Sequence, residues 1–113
     1  MTITVTSLRL RSVWLFFKLS MNGMRILKQT KSEEGFIKMK NTGFGYTHYT
    51  LSVWQSPEDV KRFAHRGAHK EAMKLSRSLA AEIRIYTYQA DDMPSWKEAK
   101  QLLVEKGKVL TYK

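Results

Sequence analysis

The sequence predicts an α+β fold of the ferredoxin-like type, β-α-β-β-α-β with an extra C-terminal helix, in a single domain spanning residues 1–113. Three observations carry that prediction. Four segments alternate with a period of two: Thr2–Leu10, Phe36–Asn41, Thr47–Trp54 and Glu82–Gln89. The second and third are separated only by Thr42-Gly43-Phe44-Gly45-Tyr46, a hairpin signal. Helical patterns fill the other two connections, and two of the helix starts are marked by Ser N-caps, Ser56-Pro57-Glu58-Asp59 and Ser95-Trp96-Lys97-Glu98.

In chain order, Ile3 and Val5 alternate in one phase and Leu8 and Leu10 in the other, so a bulge or a strand end is expected at Thr6-Ser7. Residues 13–29 read as a helix, with Val13, Phe16, Phe17, Met21 and Met24 spaced by three and four. Gly23 inside it costs about 1 kcal/mol relative to Ala. Thr30–Gly35 is a polar turn. In the third strand Tyr49, Leu51 and Val53 share one face and His48, Thr50, Ser52 and Trp54 the other. Pro57 suits the first helical position and Glu58 and Asp59 complement the helix dipole. That helix is expected to carry Val60, Phe63 and Ala64 on one face, pass Gly67 and His69, and fade near Leu79. The last helix is expected to end at Gly107, and Val109–Tyr112 can add an edge strand. Apolar residues on both faces of the strands predict a homodimer burying a sheet face.

Composition narrows the function. With no Cys, thiol catalysis, thiolate metal sites and disulfides are excluded, and a cytoplasmic setting is expected. The apolar run Val13–Phe17 is broken by Lys18 and falls far short of the about 20 residues a bilayer span needs. Twenty Lys and Arg against 10 Asp and Glu give a net charge of +10. These cations are spread along the chain without a nucleic-acid-binding signature, which makes a basic nucleic-acid-associated protein the minor reading. No phosphate loop or paired catalytic carboxylates appear, so any redox chemistry must come from a cofactor or from the substrate.

Leu51-Ser52-Val53-Trp54-Gln55-Ser56, Phe63, Gly67-Ala68-His69 and Ala72-Met73 resemble the central segment of the spheroidene monooxygenase-like proteins. These belong to the dimeric α/β-barrel superfamily, with the antibiotic-biosynthesis and heme-degrading monooxygenases. The resemblance is best over about a third of the chain and implies a monooxygenase-like protein acting on a hydrophobic small molecule, with heme as a possible cofactor. A non-catalytic module binding heme or another flat hydrophobe is the alternative. The Trp matching Trp54 lines the ligand pocket in the heme-degrading relatives. Their axial histidine sits at an offset that holds Met73 here, with His69 one turn earlier. The resemblance and the spacing together nominate His69 as the catalytic group and Trp54, His69 and Met73 as ligand contacts. Trp14, Phe17 and Met21 are expected to form the opposing wall. His69 can equally be structural, His48 is a rim candidate only if its strand face lines a cavity, and His65 with His69 makes a weak i, i+4 metal pair.

Overall fold

The computed structural model describes residues 1–64, 70, 74–75 and 77–111. Its strands are β1 (Thr2–Leu10), β2 (Phe36–Phe44), β3 (Thr47–Trp54), β4 (Ala80–Gln89) and β5 (Lys108–Thr111). The helices are α1 (Phe16–Lys31), entered through a 3-10 turn at Val13–Leu15, α2 (Pro57–Ala64) and α3 (Trp96–Lys106). One antiparallel sheet forms in the order β2-β3-β1-β4-β5. This is the expected ferredoxin-like sheet, extended by the C-terminal edge strand.

Positive φ at Gly43 (149°) and Gly45 (65°) closes the β2–β3 hairpin. A Cβ on Gly43 would also meet the His48 backbone at 2.6 Å, so only glycine lets the two strands approach there. Ser56 caps α2 by accepting from the Asp59 amide at 3.3 Å, and its hydroxyl donates to Asp59 Oδ2 at 2.9 Å. Asp59 is buried against Gly35, and the Gln55 amide donates to the Gly35 carbonyl at 2.8 Å. These contacts clamp the start of α2 to the turn before β2 and set the direction in which α2 leaves the sheet. In α3, Ser95 accepts from the Glu98 amide at 3.2 Å, the first half of the expected capping box.

The phase change along β1 is not a bulge at Thr6-Ser7. Pairing with β3 and β4 runs unbroken from Thr2 to Arg9, and the register shifts only between Arg9 and Leu10. Ile3 and Val5 pack with Leu51, Val53, Ala99 and Leu103 beneath α3. Leu8 packs on the other face with Leu10, Leu79, Ala80 and Ile83, against Leu15 and Leu19 at the start of α1. Both faces of the strand are buried, each at a different end, and that is what the two phases record. The centre of the sheet face opposite α1 is therefore covered by α3.

Candidate functional site

The face of the sheet that carries Thr4, Thr6, Thr50 and Ser52 does not close against the helices. Between it, α1 and α2 lies a cavity of about 550 Å³. Strand register sets its floor as rows running across the sheet. Gly43, His48, Leu8 and Ile83 form one row, and Asn41, Thr50, Thr6 and Ile85 the next. Met39, Ser52, Thr4 and Thr87 follow, and Phe36, Trp54 and Thr2 stand at the far end. The floor is thus half hydroxyl and amide, half hydrocarbon. Thr4 and Thr87 satisfy each other at 3.0 Å. The hydroxyls of Thr6, Thr50 and Ser52 have no side-chain hydrogen-bond partner among the described residues and line the cavity, so they can bond a ligand.

The α1 wall is made by Phe16, Leu19, Ser20, Gly23, Met24 and Leu27. A Cβ on Gly23 would meet nothing within 4 Å, so the helix leaves open space on the wall there. Trp54 closes the far end, only 2% exposed, edge-on to Phe36 at 5.7 Å and tilted against Phe63 of α2 at 5.1 Å. At the hairpin end the His48 ring lies 5.5 Å from Phe16 and donates from Nε2 to the Gly45 carbonyl at 2.9 Å. A carbonyl only accepts, so the proton is on Nε2 and, in the neutral ring, the Nδ1 lone pair is the free position. Arg77, in the helical residues 77–79, supplies a cation on the wall, with no acidic partner among the described residues.

Trp54 is therefore where its strand register places it, on the cavity. His48 joins it, since its strand face does line a cavity. Trp14, Phe17 and Met21 do not form the opposing wall. They are 83%, 75% and 69% exposed and line no part of the cavity, because α1 presents Phe16, Leu19 and Gly23 inward. His65, His69 and Met73 lie outside the described residues. Arg77 and the hydroxyl rows were not singled out from the sequence. Their signal was the run of Thr and Ser opposite the aliphatic residues in the first and third strands, a pattern that also fits an exposed face.

Heme does not find a ready ligand among the described residues. Among the described residues His48 is the only imidazole on the wall, its Nε2 is committed to Gly45, and no cluster of three His, Asp or Glu that would hold a metal is present.

Comparison with known folds gives the class first. The chain has the fold of the antibiotic biosynthesis monooxygenases. It superposes on a candidate antibiotic biosynthesis monooxygenase from Deinococcus radiodurans with a TM-score of 0.75 at 15% identity, covering 84% of this chain and 97% of that one. SnoaB, a cofactor-independent oxygenase from Streptomyces nogalater, matches with a TM-score of 0.70 at 12% identity, over 81% and 94% of the two chains. A third, a candidate enzyme of the same class from Nitrosomonas europaea, gives 0.74 at 9% identity, over 81% and 100%. No curated protein matches the chain in sequence. Residues 19–108 match the family described as Domain of unknown function (DUF3291), and the chain belongs to that family.

Proposed function

We propose that this protein is a monooxygenase-type enzyme that takes a flat, hydrophobic, anionic small molecule into the cavity between sheet and helices. The observation that carries the reading is the cavity itself: about 550 Å³, mainly apolar, with hydroxyls in rows on its floor and, among the described residues, the cation of Arg77 on its wall. Such a composition suits an aromatic body with an ionised oxygen. The electrons for oxygen then come from the substrate anion, and the chain's task is to orient it, hold its charge and exclude water. SnoaB, on the same fold, is a cofactor-independent oxygenase, which supports this route at the level of fold.

His69 is carried in the proposal as the catalytic group, five residues beyond the end of α2 at Ala64, with Trp54 and Met73 as ligand contacts. His48 joins the ligand contacts. Oxygen uptake with air-oxidisable polycyclic phenols tests the reading. A saturable acceleration that is lost in His69→Ala, with the fold intact by circular dichroism, is the expected result. Tight binding of such phenols with no acceleration establishes instead a binding module. That second reading draws on His48, whose Nε2 is already bonded to Gly45 and leaves one ring nitrogen to accept a hydrogen bond from a bound phenol.

A homodimer belongs to the same proposal. Val104 and Val109 stay exposed on and beside α3, and Tyr49 and Tyr86 stay half-buried on that side. Light scattering at micromolar concentration giving twice the chain mass supports it, and the mass of one chain rejects it.

A further inference from the structure

The outer side of α1 is apolar where a solvated helix should be polar. Trp14, Phe17, Met21 and Met24 are spaced by three and four, and are 83%, 75%, 69% and 72% exposed. Beyond Met24 the same line of the helix continues into Lys28 and Lys31, and Lys18 and Arg25 flank it on one side. All four cations are exposed, and none forms an ion pair with a described residue. No acidic residue precedes Glu33, so nothing on the first strand or on α1 offsets them. We propose that this face of α1 docks on an anionic lipid surface, with the aromatic and thioether side chains in the headgroup–acyl boundary and the ammonium and guanidinium groups on lipid phosphates.

Geometry and charge both select that occupant. The apolar line from Trp14 to Met24 runs about 15 Å straight along the helix, as interfacial insertion requires. A shallow hollow lined by Met24, Leu27, Lys28, Lys31 and Ser32 sits at the end of the line, where two ammonium groups can share one phosphate. A second copy of the chain fits poorly, because an antiparallel two-fold contact through this face would set Lys18 of one copy beside Arg25 of the other with no acidic residue on α1 to offset them. Met24 is at once part of the exposed line and of the cavity wall, so the docked face adjoins the cavity. The docking stands whether or not the cavity is catalytic.

Flotation of the full chain with vesicles tests it, comparing phosphatidylcholine alone with an equal mixture of phosphatidylcholine and phosphatidylglycerol. The chain should float with the mixed vesicles only, and release as salt is raised. Trp14 should shift its emission to the blue on binding, a change absent in Trp14→Phe. Phe17→Ser with Met21→Ser should weaken partitioning roughly tenfold or more through lost apolar burial. Lys28→Gln and Lys31→Gln should each weaken it about fivefold. All these positions are exposed, so the variants keep the fold, which circular dichroism checks. Three results overturn the proposal: no flotation with the mixed vesicles at low salt, flotation untouched by the Phe17 and Met21 changes, or a fall in assembly mass on making those changes without lipid, which assigns the face to a second copy.

Discussion

Trp54 and Phe63 meet at 5.1 Å between ring centroids with their planes 35° apart, joining the last residue of β3 to the inner face of α2. Both are buried, and the eight residues of chain between them are turned back by the Ser56 cap and the Asp59–Gly35 contact. The pair sets how far α2 stands from the sheet, and so it bounds one end of the cavity.

Removing the larger member should be costly. Trp54→Ala takes away a side chain that is 2% exposed, and a loss of about 3–5 kcal/mol in unfolding free energy is expected. Trp54→Phe should keep the fold and change ligand affinity. Urea denaturation with ligand titration separates the two effects.

Gly23 allows the cavity to be filled without touching its floor. Gly23→Ala meets nothing within 4 Å and should stabilise α1 by about 1 kcal/mol, read as a higher urea midpoint. Gly23→Leu projects into the space and should cut ligand affinity at least roughly tenfold, about 1.4 kcal/mol, while the protein stays folded. Unchanged affinity in Gly23→Leu would place the ligand elsewhere.

Gly107 should be intolerant for a reason other than its backbone angles. Its φ of −69° and ψ of 142° suit any residue, but a Cβ there would lie 2.4 Å from the Leu103 carbonyl oxygen. Gly107→Ala should cost about 1–3 kcal/mol by overpacking.

Tyr88 should ionise late. Partial burial, then the Glu98 carboxylate, then Tyr86, whose ring stacks on it at 5.3 Å, push its phenol above the ordinary 10.0. The folded state holds that proton more tightly than the unfolded chain. The contribution is therefore fully present below pH 10.0 and is lost as pH rises from there through the raised value. In an alkaline titration followed by phenolate absorbance, Tyr88→Phe should remove the latest component. Glu98→Gln should lower it only in part, since burial is the larger cause.

The order of elements, the hairpin, the Ser56 and Ser95 caps and the two faces of β3 were all legible in the sequence, because each rests on local geometry. A period of two, a glycine pair or a Ser-x-x-Asp start acts over a few residues and needs no distant partner. Trp54 reached the cavity for the same reason, since its register follows from its neighbours.

What only the tertiary structure decided was which buried side faces what. Along β1 the two apolar phases record two different coverings, α3 over Ile3 and Val5 and α1 over Leu8, and no local pattern distinguishes that from a bulge. On α1 the hydropathy pattern pointed to Trp14, Phe17 and Met21, yet the inward side holds Ser20 and Gly23. Apolar residues lie on both sides of this helix and its 3-10 entry, with Phe16, Leu19 and Leu27 inward beside Ser20 and Gly23, and Trp14, Phe17 and Met21 outward. Periodicity finds the apolar stripe of a helix, and only packing against the sheet determines whether that stripe faces in or out.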